Sequence, residues 1–191
     1  MSEHDRKKWD AKYADVDEAG AAGENDWLAQ QVQRIQPGRA LDLACGLGAN
    51  AILLAQWGWT VTGIDISPVG LQIAARTAAA ADVQVDWQAA DLETWEPQAA
   101  TFDLVTVFRY LDRNQLPQQI QAALKPGGTL LYETFVEGPN NTAGGHVRNP
   151  AFVLQREELP TLFPNWNVIE YSEIQVGDHY VARLRSQKPA P

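Results

Sequence analysis

The stretch Ala40-Leu41-Asp42-Leu43-Ala44-Cys45-Gly46-Leu47-Gly48-Ala49-Asn50 constrains this 191-residue chain more than any other. A short apolar run breaks into two closely spaced glycines and then into helix formers, residues 49–57, closed by Gly58. A strand that turns at once into a helix needs glycine where the backbone bends sharply. It also offers free N–H groups at the helix start, which a nucleotide-like ligand can approach with no Cβ in the way.

The same alternation continues downstream. Residues 60–64 are rich in β-branched side chains and read as a second strand, and Pro68 opens an Ala-rich helix reaching about residue 80. Residues 83–88 alternate like a third strand, and 102–108 form the continuous apolar run of a fully buried fourth. Residues 115–124 supply a helix stopped by Lys125-Pro126-Gly127-Gly128, and 129–134 a fifth strand. Before the first strand, the pattern predicts a short polar helix at 9–13 and a flexible Ala/Gly/acidic segment at 15–25. A helix capped by Asp26 follows, carrying Leu28, Val32 and Ile35 up to Pro37-Gly38. After the fifth strand, 137–150 reads as a long surface loop, 157–163 as a short helix, and 168–174 with 180–185 as a terminal hairpin.

Strands alternating with helices call for an α/β fold. The expectation is a Rossmann-like three-layer sandwich around a mostly parallel seven-stranded sheet with an antiparallel C-terminal hairpin. The length suits one domain, with 1–36 as a helical cap, 37–134 as the cofactor-binding core and 135–191 as a substrate loop and terminal strands.

Composition narrows the class. No apolar run approaches the roughly 20 residues of a membrane span, and the charged N-terminus lacks a secretory core, so the cytoplasm is the expected location. Cys45 is the only cysteine and the three histidines, His4, His146 and His179, are far apart, so neither an internal disulfide nor a metal site is expected. A formal net charge of −9 repels polyanions, which favours a small-molecule substrate over nucleic acid. Nothing in the sequence sets the oligomeric state.

Gly46-x-Gly48-x-x-Ala51 by itself also fits a dinucleotide fingerprint, and Asp65 closing the second strand suits the ribose hydroxyls of either ligand. Later segments discriminate. In order, Asp42-Leu43-Ala44-Cys45-Gly46-Leu47-Gly48, Gly63-Ile64-Asp65-Ile66-Ser67, Ala89-Ala90-Asp91-Leu92, Phe102-Asp103-Leu104-Val105 and Leu124-Lys125-Pro126-Gly127-Gly128-Thr129-Leu130 resemble the successive motifs of class I S-adenosylmethionine-dependent methyltransferases. Trp9-Asp10-x-x-Tyr13 and Phe108-Arg109-Tyr110-Leu111 are similar to the small bacterial type that includes the tellurite-resistance, TehB-like enzymes. Ala44 departs from the family, standing where glycine is commoner.

The resemblance implies S-adenosyl-L-methionine as cofactor and S-adenosyl-L-homocysteine as product. It implies that Asp65 accepts the ribose hydroxyls and Asp91 the adenine amine. Asp42, Ala44, Cys45, Gly46, Gly48, Asn50, Ile66, Leu92 and Phe108 complete the implied cofactor-binding positions, with Trp9 and Tyr13 on a helix that closes over the ligand. Cys45 reads as a small packed residue rather than a nucleophile. On the acceptor side the candidates are Arg109 and Tyr110 at a strand end, and His146 and Arg148 on the long loop. Neither an Asn-Pro-Pro-Tyr-like string nor a Pro-Cys pair stands at 108–111, which argues against methylation of DNA bases or glutamine.

Methyl transfer from a sulfonium is an in-line displacement, governed mainly by alignment of donor and acceptor. An anionic thiol, selenium or tellurium acceptor needs no base, and the narrower resemblance favours one. A hydroxyl acceptor would need one, His146 or His179. Methylation of a small hydroxyl or carboxyl metabolite, or of a protein or RNA, stays open. So do an NAD-dependent oxidoreductase and a non-catalytic cofactor-binding module.

Overall fold

The computed structural model describes residues 3–15, 25–138, 141 and 149–190. They gather into two compact units, Met1–Glu96 and Pro97–Pro191.

The first unit runs α1 (Glu3–Ala14), α2 (Asp26–Val32), β1 (Arg39–Leu43), α3 (Ala49–Gln56), β2 (Thr60–Asp65), α4 (Pro68–Ala80) and β3 (Val85–Ala89). Its strands lie in the order β3-β2-β1, all parallel, with Asp42 opposite Gly63 and Asp65 opposite Ala89. Parallel neighbours require crossovers, which α3 and α4 provide. Leu41, Leu43, Leu54, Ile64 and Ala74 are fully buried at the centre.

Three local expectations are corrected in this unit. The cap of α2 is Asn25, whose Oδ1 accepts from the Leu28 amide at 3.0 Å, so Asp26 is the first helical residue instead. That helix ends at Val32, because the amides of Arg34 and Ile35 turn to the carbonyls of Gln31 and Val32 in tight three-residue bonds. The N-terminal helix is longer than residues 9–13, running Glu3–Ala14, and none of its side chains is buried.

The second unit contains β4 (Phe102–Phe108), α5 (Leu116–Ala123), β5 (Leu124–Phe135), a 3-10 turn (Pro150–Phe152), α6 (Glu158–Thr161), β6 (Asn167–Val176) and β7 (His179–Gln187). Its order is β4-β5-β7-β6, with β4 and β5 parallel and the β5/β7 and β7/β6 pairs antiparallel. The seven strands therefore have the expected character, parallel except at the C-terminal hairpin.

One boundary moves considerably. Lys125-Pro126-Gly127-Gly128 does not close α5 as a separate turn but lies within β5, which already pairs at Leu124 with Phe102. The register then slips before Leu104 meets Thr129, and Gly127, at φ +77°, absorbs the irregularity while its amide donates to the Lys188 carbonyl. The hairpin strands are each longer than expected because pairing runs through to Val176 opposite His179.

Arg113 fastens the segment that follows the long loop. It donates to the carbonyls of Ala151 and Val153, each at 2.9 Å, and both oxygens of Glu158 accept from its guanidinium. Val136 and Leu154 bridge across the loop's base. His146 and Arg148 lie outside the described residues.

Candidate cofactor site

The turn from β1 to α3 carries three left-handed residues, Ala44 at φ +55°, Gly46 at +57° and Gly48 at +80°. Such backbone costs a residue with a side chain about 1–2 kcal/mol, so Ala44 is strained where the neighbouring glycines are not. The turn is tied to β2 by the Cys45 amide, which donates to the Ile64 carbonyl at 2.9 Å. No side chain caps α3 at Gly48.

The bare faces of these glycines meet protein. A Cβ on Gly46 would stand 2.9 Å from the Tyr13 hydroxyl; one on Gly48 would stand 2.5 Å from the Trp87 ring and 2.8 Å from the Ala74 methyl. Gly63 on β2 faces the same indole, with its Cβ position 2.7 Å away. Trp87 is thus wedged against two glycines at once. The room at Gly48 belongs to this packing rather than to an approaching ligand.

Asp65, at the end of β2, is only 5% exposed. Its Oδ2 accepts from the Gly46 amide at 2.8 Å and its Oδ1 from the Ser67 amide at 2.9 Å, so one carboxylate links the glycine turn to the start of α4. It is not the cap of that helix. Ser67 is, accepting from Gly70 N at 3.1 Å. Burial pushes the Asp65 carboxyl up from its ordinary value, while the Ser67 and Gly46 amides pull it back. A carboxylate offers about four acceptor positions, so two amides leave it able to receive hydroxyls.

Above this carboxylate lies α1. Asp10 Oδ1 accepts from Ser67 Oγ at 2.5 Å, and Arg6 pairs with Asp10 at 2.8 Å. Trp9 and Tyr13 stack with ring centroids 5.5 Å apart, and Lys12 lies 4.4 Å over Trp9. Burial and the nearby Asp65 charge hold the Tyr13 phenol well above its ordinary range, so it stays a hydrogen-bond donor. Asp10 is the latch that local patterns did not single out; its only sequence signal is the Trp-Asp-x-x-Tyr string.

The remaining predicted residues of this unit divide by burial. Asp42 is 1% exposed, inside the sheet beneath the turn, and its charge helps burial push the Cys45 thiol well above its ordinary range, which makes Cys45 a packed neutral thiol. Asn50 Oδ1 accepts from Asn25 Nδ2 at 3.0 Å, which ties α3 to the cap of α2. Ile66 and Leu92 are buried. Asp91 follows β3, and its Oδ1 accepts from the Glu93 amide at 2.9 Å.

In the second unit the acceptor-side candidates are differently employed. Arg109, the first residue after β4, sits at φ +59°, and its Nε donates to Glu133 Oε1 at 3.0 Å. Glu133 is buried on β5 and also takes Arg183 Nε on Oε2 at 2.7 Å. The Arg109 guanidinium lies 4.8 Å over the Phe135 ring, which in turn meets His179 edge-on at 5.1 Å. Tyr110 accepts through its carbonyl from the Tyr132 hydroxyl at 3.0 Å, and Phe108 is half-buried opposite Glu133. Glu133, Phe135 and Arg183 were not singled out as site residues in the sequence, because a charged residue in the middle of a strand gives no local sign of its partners.

Among the described residues, no cluster of His, Cys, Asp and Glu is arranged to hold a metal. The donor set of the first unit instead suits a nucleoside. The buried Asp65 can accept vicinal hydroxyls, Asp91 at the next strand's end can accept an amine, and an uncapped helix start lies alongside.

Residues 40–128 match the family described as a methyltransferase domain. A ubiquinone biosynthesis O-methyltransferase from Bordetella avium is 31% identical over 121 residues, covering 61% of this chain and 50% of the relative. The chain spans about half the length of the curated relatives it matches. TehB from Haemophilus influenzae superposes with a TM-score of 0.73 at 18% identity over 86% of this chain and 62% of that one. A structure described by the conversion of a disulfide bond into a thioacetal group during echinomycin biosynthesis gives 0.75 at 19% identity over 97% and 93%. These likenesses confirm the Rossmann-like fold.

Proposed function

We propose that the chain is a class I, S-adenosylmethionine-dependent methyltransferase that transfers the methyl group to an oxygen of a small molecule. The observation that carries the cofactor part of this reading is Asp65, a buried carboxylate bound to the glycine turn and with acceptor capacity left for hydroxyls. Asp65 holds the ribose, Asp91 the adenine amine, and Ile66 and Leu92 supply apolar surface. Asp42, Ala44, Cys45, Gly46 and Gly48 shape the turn, Asn50 braces it, and Trp9 and Tyr13 cap the ligand from α1. Phe108 keeps the cofactor role that the resemblance implies.

When bound, the cofactor supplies an electrophilic methyl on a sulfonium, and the displacement consumes that positive charge. The residues orient and exclude water; alignment of this kind is worth roughly 7–11 kcal/mol in well-oriented systems. The oxygen acceptor is favoured by the relative's description as an O-methyltransferase at 31% identity. Thiol, selenium and tellurium acceptors rest on a resemblance to TehB that, at 18% identity, speaks for the fold alone. The proposal takes 1–191 as one catalytic domain acting in the cytoplasm on a small molecule rather than on nucleic acid.

Titration calorimetry with S-adenosylhomocysteine and with NAD, followed by transfer of labelled methyl to panels of catechols, carboxylic acids and thiols, tests the reading. The expected result is binding of S-adenosylhomocysteine only, with label on oxygen. Preference for NAD rejects the cofactor, and label confined to thiols rejects the acceptor.

A further inference from the structure

We propose that Arg109 is the residue that selects the acceptor, by receiving a carboxylate carried by the substrate. This deepens the methyltransferase reading and rests on it. Arg109 stands at the carboxyl end of β4, the edge where ligands sit in open α/β sheets, in left-handed backbone at φ +59° that only a small share of non-glycine residues adopt. Strained backbone persists where the surroundings hold it, and here they do: the Arg109 amide donates to the Glu133 carbonyl at 2.8 Å.

The side chain is held as firmly as the backbone. Phe135 lies under the guanidinium plane, and Glu133 Oε1 takes the Nε edge. Among the described residues this is the only hydrogen bond of the guanidinium, since Glu133 gives its second oxygen to Arg183. A guanidinium normally engages a carboxylate through two parallel bonds. Arg109 makes one, on its inner edge, and its side chain remains 35% exposed. The terminal nitrogens are therefore a preoriented fork matching a second carboxylate, in a chain whose net charge of −9 would otherwise repel an anion. Glu133 is the positioning residue that sets the angle of the fork.

The test compares acid with ester. In the presence of S-adenosylhomocysteine, calorimetry with protocatechuate, thioglycolate and the methyl ester of each should show the acids binding wild type about 10- to 100-fold more tightly, the worth of a charge-assisted pair. Arg109→Gln should erase that difference while leaving the ester and S-adenosylhomocysteine affinities in place, and Arg109→Lys should restore part of it. Equal affinity for acid and ester, or no binding of either acid, overturns the proposal. So does an Arg109→Gln variant that weakens acid and ester alike, the mark of a purely structural arginine. Should Arg109→Gln fail to fold, the wild-type acid-to-ester ratio and its collapse at high salt still decide. Failure of wild type to bind S-adenosylhomocysteine removes the methyltransferase reading itself, and this inference with it.

Discussion

The Tyr13 hydroxyl stands 2.9 Å from where a β-carbon on Gly46 would lie. Gly46→Ala must therefore displace the phenol as well as strain its own backbone at φ +57°. The variant should lose about 1–2 kcal/mol of stability from backbone alone. Tyr13→Phe, which removes the colliding oxygen, should recover the remainder of the loss when combined with it. A double-mutant cycle by denaturant unfolding measures the coupling; strict additivity would show that the two residues do not meet.

Ala44 offers the opposite change. At φ +55° it carries a side chain in backbone that glycine adopts freely, so Ala44→Gly relieves the strain while adding freedom to the unfolded chain. The balance is a gain of up to about 1 kcal/mol, visible as a raised Tm. A lower Tm would mean that the methyl group makes packing contacts worth more than the strain.

Asp65 makes acid matter twice. Burial raises its carboxyl above the ordinary 3.8, so its contribution to stability is full below that value and is lost as pH rises through the raised one. Melts of wild type against Asp65→Asn across that window should show the wild type losing ground as pH increases. Affinity for S-adenosylhomocysteine should move the other way, falling as acid protonates the acceptor, and Asp65→Ala at neutral pH should bind about 10- to 100-fold more weakly. A flat affinity profile down to the ordinary carboxylate range would remove Asp65 from the ribose.

Ser67 both caps α4 and holds α1 through Asp10. Ser67→Ala should cost about 1–2 kcal/mol, and Ser67→Thr should restore most of it. Asp10→Asn spares the cap but weakens the latch. Because α1 buries no side chain, hydrogen exchange of its amides should accelerate in that variant and slow again when S-adenosylhomocysteine is added. Unchanged exchange would mean that Tyr13 alone holds the helix.

What could be read in advance follows the range of the interaction that makes it. The β1–α3 turn, the Pro68 start of α4 and the strand closed by Asp65 depend on neighbours in sequence, and periodicity and glycine spacing reveal them. The longer reach of β5 was hidden because Pro126 and two glycines look like a stop unless Phe102 and Lys188 are known to pair with that stretch. The same holds for charge. Arg109, Glu133 and Arg183 come together across three strands, and no local pattern marks a buried glutamate as shared. Apart from Trp9 in its Trp-Asp-x-x-Tyr string, the tryptophans read alike in sequence, yet Trp87 packs against two glycines.

Trp87 belongs to β3, the outermost strand of its unit, which has pairing on one side only. Peeling β3 away would withdraw the indole from behind Gly48 and Gly63 and leave the β1–α3 turn without backing. On the proposed placement of the cofactor, its binding to that turn and the integrity of the sheet margin are thermodynamically linked. By that linkage, an adenosyl group bound as proposed would guard an exposed strand against pairing with strangers.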